Sequence, residues 1–205
     1  MAVAATEVKP SPRPELIEQL RDGVEKLLED TTYAEIKIDD LVEQAGLAKS
    51  TFYVYFDDKG DLLSHLAERV ISELIAFDGA WWTLPPEASR DEIRAAIEAM
   101  FEAYLPHGPL IDAISATAIY DPGMQEQFKQ LMNGVFENIA VFLRQGQETG
   151  VVPPDIDPSH TAFSLGWMFE RGFNLIMLPA DPRGRSRRID AATEIVWRTC
   201  HGGAG

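Results

Sequence analysis

The chain of 205 residues contains one cysteine, Cys200, and is short of basic residues, with 18 Lys+Arg against 33 Asp+Glu and a formal net charge of −15. A single cysteine excludes an internal disulfide and a thiolate metal cluster, and suits a reducing, cytoplasmic setting. The charge argues against a general polyanion binder, because phosphate attraction normally comes from a basic surface. No run of about 18 apolar residues is present to span a bilayer, so no membrane partner is expected. Residues 1–14 lack both a basic start and an apolar block, which reads as a short mobile arm kept extended by Pro10, Pro12 and Pro14, and not as a secretory leader. His65, His107, His160 and His201 fall in separate segments without a paired zinc spacing. Cys200 stands beside His201 but has no orienting carboxylate nearby in sequence, and no glycine-rich phosphate loop is present. The expectation is a chain that is not an enzyme and carries no cofactor or metal.

What is present is helical periodicity. Leu16, Ile17, Leu20, Val24, Leu27 and Leu28 recur at helical spacing behind Pro14, which suits a first turn. Two short helices are expected between Ile38 and Phe56, broken at Gly46. A longer one starts at Asp58, where Asp58 and Asp61 resemble a capping box, and runs through Leu62, Leu66, Val70 and Leu74. Further helices are expected over about 91–105, 109–119, 123–149, 159–178 and 186–200, separated by proline-containing breaks. No stretch alternates long enough for a sheet. The sequence therefore reads as all-α with about nine helices, a small N-terminal module joined to a bundle of longer helices by the helix from Asp58.

The segment from Ile38 to Phe56 carries the strongest signal. Its first helix turns Ile38, Leu41 and Val42 inward; Gly46 supplies the positive φ of a tight corner, and Leu47 plugs the angle. The second helix buries Phe52 and Phe56, which leaves Lys49, Ser50, Thr51, Tyr53 and Tyr55 for the outer surface. A major groove accepts such a helix: lysine meets phosphate or guanine, threonine packs on a thymine methyl, and tyrosine hydroxyls reach phosphate oxygens. A plain helical corner whose tyrosines merely cover the core is the alternative. Two tyrosines and two small hydroxyls on one exposed turn are more than such a corner requires.

These residues resemble the TetR family of one-component transcriptional regulators, through Asp40-Leu41-Val42, Ala45-Gly46-Leu47, Ser50-Thr51-Phe52-Tyr53-Val54-Tyr55-Phe56, Lys59 and Leu62-Leu63. Glu170-Arg171 and the run from Gly150 to Pro153 resemble its ethionamide-resistance repressor subgroup. The resemblance implies a mobile arm over 1–14, a helix-turn-helix DNA-binding domain over 15–60, and a ligand-binding and dimerisation domain over 61–205. It also implies a homodimer on a near-palindromic double-stranded operator, probed by Lys49, Ser50, Thr51, Tyr53 and Tyr55 and released by a hydrophobic small molecule. Lys59 becomes a phosphate clamp at the start of the fourth helix. Lys37 and Ala48 stand where the family places capping hydroxyls; loss of such a cap costs on the order of 1 kcal/mol. Lys37 restores the electrostatic part as a possible phosphate contact. A helical module of the same fold that binds ligand or protein, with weak or lost operator binding, is the second reading.

In the remainder, Ile93, Ile97, Met100 and Tyr104, then Phe128, Met132, Val135 and Ile139, then Ala162, Gly166, Phe169 and Phe173 form three apolar stripes. Plain core is one reading. The other is an apolar effector pocket, for which Gly166 leaves a gap opposite bulky neighbours and Tyr104 offers a hydroxyl. The subgroup's apolar tunnel favours the pocket, with Trp81 and Trp82, at the end of the fourth helix, at its mouth. Trp167, Arg171 and Asn174, with Ile189, Ile195, Val196 and Trp197, are expected at a two-fold interface of the last two helices. The basic run Arg183-Gly-Arg-Ser-Arg-Arg188 reads as a solvated loop. Residues 1–60 hold 7 Lys+Arg and 13 Asp+Glu, a net of −6, yet no acid lies between Gln44 and Phe56. Acidity thus constrains DNA binding to few contacts and weak non-specific affinity, without excluding it.

Overall fold

The computed structural model describes residues 9–202, without the side chains of Ile71, Leu74, Ile75, Leu131 and Asn174. Of the arm expected over residues 1–14, residues 1–8 lie outside the described residues, as do the parts assigned to the Leu74 and Asn174 side chains. Among those described, all regular structure is helical: α1 (Pro14–Leu27), α2 (Ile38–Gln44), α3 (Lys49–Tyr55), α4 (Lys59–Ile75), α5 (Arg90–Tyr104), α6 (Gly108–Thr117), α7 (Pro122–Thr149), α8 (Pro158–Gly172) and α9 (Pro182–His201). Short 3-10 turns lie at Trp81–Thr83 and Leu105–His107, and α8 continues into a π-helical turn at Phe173–Met177. No helix among the described residues is long and apolar enough to cross a membrane.

The helix starts follow from side-chain capping where a cap exists. Asp58 accepts from the Asp61 amide at 2.9 Å, and Asp61 accepts from the Asp57 amide at 3.0 Å, which opens α4. Ser89 and Glu92 make a full capping box on α5. Asp157 accepts from the His160 amide at 2.9 Å at the start of α8. Asp181, followed by Pro182, accepts from the Gly184 amide at 2.8 Å and starts α9 four residues earlier than the periodicity suggested. The basic run is therefore the first two turns of α9, not a loop. Lys37 before α2 and Ala48 before α3 make no side-chain cap bond.

The chain divides into two compact units. The first takes residues up to 70 together with 109–125, so it adds most of α6 to the N-terminal helices. Its core includes Leu16, Leu20, Val24, Leu41, Phe52, Phe56, Leu62 and Leu66, all buried. The second takes 71–108 and from 126 onward. There α5 lies along α9, tied by Arg94 to Asp190 at 2.8 Å and by Arg90 to Glu194 at 3.1 Å. Ile93, Ile97, Met100, Ile139, Leu143 and Val196 are buried in its core.

The corner between α2 and α3 closes as a Schellman turn. The Leu47 amide donates to Val42 O at 2.8 Å and the Gly46 amide to Glu43 O at 3.1 Å, with Gly46 at φ +66°. A Cβ on Gly46 would meet nothing within 4 Å, so the glycine serves backbone conformation alone. Gly46→Ala is expected to lower unfolding free energy by about 1–2 kcal/mol, the usual cost of a left-handed L-residue, measured by urea denaturation.

Candidate functional site

α3 has seven residues and no cap, so its own hydrogen bonds cannot hold it; helices this short depend on tertiary packing. Phe52 and Phe56 supply that packing. Both are fully buried, with ring centroids 5.2 Å apart, and Phe56 meets the His65 ring of α4 edge-on at 5.3 Å. Burying a phenylalanine contributes about 1.5–3 kcal/mol. With these two rings fixed inward, helical geometry turns Lys49, Ser50, Tyr53 and Val54 outward; all four are exposed. Thr51 and Tyr55 are half-buried at the flanks, and Lys37 is exposed before α2. Val54 is the residue that sequence reasoning missed. It is 51% exposed and lies one turn beyond Ser50, and that i+4 spacing was the available signal.

Folding brings an acid to the acid-free stretch. Asp39, from the first turn of α2, accepts from the Lys49 ammonium at 2.6 Å, and this hydrogen bond holds the Lys49 pKa above its usual value. The positive charge on the outer face of α3 is thus partly balanced within the chain. The resemblance implies Lys59 as a phosphate clamp at the start of α4. Its ammonium turns inward onto the carbonyls of Tyr33, Ala34 and Ile36. In the same unit, a groove of about 600 Å³ opens between residues 28–34 and 109–121, with Tyr33, Asp112, Thr117 and Tyr120 in its lining.

In the second unit, Trp81 is the hub of an aromatic cluster. Its ring lies 5.6 Å from Trp82, 5.4 Å from Phe142 and 5.9 Å from Phe169. The cluster continues from Phe169 to Phe101, which stacks on Phe173 at 5.9 Å, and Tyr104 meets Phe173 edge-on at 5.6 Å. Burial pushes the Tyr104 phenol pKa upward. Trp81 and Trp82 belong to a turn of their own and not to the end of α4, and both are buried. Neither indole N–H finds a hydrogen-bond acceptor among the described residues.

Of the proposed pocket residues, Ile93, Ile97, Met100, Phe128, Met132, Gly166, Phe169 and Phe173 are buried, while Tyr104 and Val135 are half-buried. Tyr104, Phe169 and Phe173 are brought together through Phe101, which the stripes had not singled out. Gly166 does not leave a gap: a Cβ there would lie 2.4 Å from the Phe136 ring, so that ring fills the space. Phe136 also meets Phe163 and Trp167 at 5.1 and 5.7 Å, and Phe128 meets Trp167 at 6.1 Å. Trp167 therefore packs on α7. A second groove, of about 190 Å³, is lined by Phe101, Phe169, Met177 and Ile195 among others.

The face expected for a two-fold interface is redistributed. Ile189 and Val196 belong to the core, and Trp197 stacks on His201 at 3.6 Å. Ile195 remains exposed, as do Phe163, Leu175 and Ile176. Arg171 pairs with its neighbour Glu170 at 3.1 Å. Arg185 donates to Met177 O at 3.2 Å and Leu178 O at 3.4 Å, and Arg188 donates to Ile176 O, so both arginines satisfy carbonyls of the π-turn. Cys200 is buried, which pushes its thiol up to about 12, far from a nucleophile's range.

Residues 20–66 match the model of bacterial regulatory proteins of the tetR family, and residues 93–202 match the model of the C-terminal domain of the transcriptional regulator EthR. The chain is 30% identical over 179 residues to the HTH-type transcriptional regulator EthR of Mycobacterium tuberculosis, covering 85% of this chain and 82% of that one. It is 29% identical over 174 residues to the EthR of Mycolicibacterium smegmatis, covering 84% and 80%. Among solved structures, the fatty acid degradation regulator FadR of Bacillus halodurans shares the fold at a TM-score of 0.73 and 13% identity, covering 91% of this chain and 97% of that one. A TetR transcription regulator from Haloarcula marismortui does so at 0.73 and 18%, covering 89% and 96%.

The Phe136 ring against Gly166 also yields a stability test. Gly166→Val is expected to destabilise the chain by about 2 kcal/mol, because overpacking this contact outweighs the better helix propensity. Urea denaturation measures it.

Proposed function

We propose that this chain, which belongs to the TetR family of bacterial regulatory proteins, is a one-component repressor that binds a near-palindromic operator as a homodimer and is released by a hydrophobic small molecule. The observation that carries the reading is the outward face of α3. Lys49, Ser50, Tyr53 and Val54 stand exposed on a short helix whose rotation is fixed by two buried phenylalanines. Lysine and serine suit base edges and phosphates, the tyrosine hydroxyl suits a phosphate oxygen, and Val54 suits a thymine methyl. Thr51 and Tyr55 flank that face, and Lys37 adds a cation ahead of α2.

The dimer contact is assigned to the open apolar side chains of the last two helices and the turn between them: Phe163, Leu175, Ile176 and Ile195. The effector is assigned to the second unit, where Met100, Tyr104, Phe128, Met132, Val135, Phe169 and Phe173 supply an apolar, adaptable lining around the Trp81 cluster. The two buried indole donors favour an apolar molecule that also carries a hydrogen-bond acceptor. Such a regulator works in the cytoplasm.

The test uses purified full-length chain, light scattering for dimer mass, and a duplex enriched from genomic fragments. The chain is expected to shift that duplex as a dimer at low salt, and long-chain apolar compounds are expected to raise its melting temperature. Lys49→Ala and Tyr53→Phe should each weaken binding about tenfold while remaining folded. Asp39→Asn should strengthen it, since Lys49 loses its internal counter-charge. Variants that bind as well as the parent would remove α3 from the interface. A dimer that enriches no sequence would favour a ligand- or protein-binding module of the same fold.

A further inference from the structure

Lys59 is the first residue of α4, yet its side chain leaves that helix and enters the corner between α1 and α2. Its ammonium donates to Tyr33 O at 3.0 Å, Ala34 O at 2.5 Å and Ile36 O at 3.1 Å. An ammonium has three protons, so three acceptors exhaust it. The nitrogen also lies 5.6 Å from the centre of the Tyr33 ring, within cation–π range. The bond pattern is reciprocal, because the Tyr33 hydroxyl donates to the backbone carbonyl of Lys59. Tyr33 and Ile36 are buried, which anchors the same corner from below. Its other end is tied by Glu35, whose carboxylate accepts from the Thr31 and Thr32 hydroxyls and the Thr32 amide at 3.0, 2.8 and 3.1 Å.

Ile36 is followed directly by Lys37 and the uncapped start of α2 at Ile38. With no capping side chain, the entry of α2 is set by what holds residues 33–36. α2 in turn leads into α3 through the Gly46 corner, closed by the Leu47 amide on Val42 O at 2.8 Å. We propose that Lys59 is a positioning residue for DNA binding, clasping the α1–α2 corner so that α2 and α3 keep their placement, and that it does not contact a DNA phosphate. This rests on the reading of α3 as the DNA-contacting helix.

Measured binding separates the clasp from a phosphate contact. A phosphate contact contributes about 0.9 to the slope of log affinity against log salt, and arginine substitutes well for lysine in that role. Three carbonyls converging on one nitrogen suit an ammonium, whereas a planar guanidinium spreads its donors. The experiment titrates the full-length parent, Lys59→Met, Lys59→Arg and Tyr33→Phe with a duplex enriched from genomic fragments, between 50 and 200 mM salt (about a fourfold range). Melting temperature and amide exchange over residues 31–38 are measured alongside.

Under the clasp, Lys59→Met loses about tenfold or more in affinity with an unchanged salt slope. Lys59→Arg fails to restore it, Tyr33→Phe shows a smaller loss of the same kind, and exchange over 31–38 quickens. Should Lys59→Met not fold, Lys59→Arg and Tyr33→Phe carry the comparison. A slope shallower by about 0.9, with affinity restored by arginine, overturns the clasp and leaves the DNA reading standing. Unchanged affinity of the folded variants with only a lower melting temperature also overturns it. A parent that binds no duplex, or Lys49→Ala binding as the parent does, overturns the DNA reading and this inference with it.

Discussion

The burial of Phe52 and Phe56 is the contact on which the placement of α3 in the first unit depends. A helix of seven residues with alanine at its N-cap has neither the length nor the cap to persist by itself. Phe52 within it and Phe56 at its C-cap, both fully buried in the first unit's core, form the helix and fix its rotation. That rotation decides which side chains meet solvent. Every statement about the outer face of α3 follows from those two rings, and Gly46 is what allows the chain to turn sharply enough to deliver them.

The second organising theme is how an acidic chain places its few cations. Lys59 is turned inward onto three carbonyls. Arg185 and Arg188 close the carbonyls of the π-turn, and Arg90 and Arg94 bridge α5 to α9. Lys49 is exposed but shares its charge with Asp39. Several basic side chains therefore bond within the chain, and Lys49 and Lys37 are the exposed cations on and just ahead of the outer face of α3. On the proposed reading of α3, a chain this acidic gains little from non-specific attraction to DNA and relies on the fit of a few side chains.

Much of the fold was legible because it rests on local patterns. Apolar spacing located the helices, Gly46 marked the corner, and the alternation of Phe52 and Phe56 with hydroxyls and tyrosines separated inside from outside on α3. The start of α9 was missed because the Asp181-Pro182 cap lies ahead of the apolar stripe. Other gaps are tertiary in origin. Nothing in the local sequence shows that Asp39 reaches Lys49, or that the Lys59 ammonium finds carbonyls more than twenty residues away. Gly166 was visible as a small residue on a helix, but whether its space is open or filled depends on Phe136, contributed by α7. Ile189 and Val196 look like Ile195 in a periodicity argument; only packing against α5 and its neighbours separates core from open face.

The proposed function requires α3 to be the surface that meets DNA, although the only concentrated basic run in the sequence lies elsewhere, at the start of α9. Hydrogen–deuterium exchange of the full-length chain, with and without a duplex that it enriches from genomic fragments, addresses this directly. Slowed exchange concentrated at residues 37–38 and 48–56 is the expected result. Slowing confined to residues 182–188, with 48–56 unchanged, would contradict it.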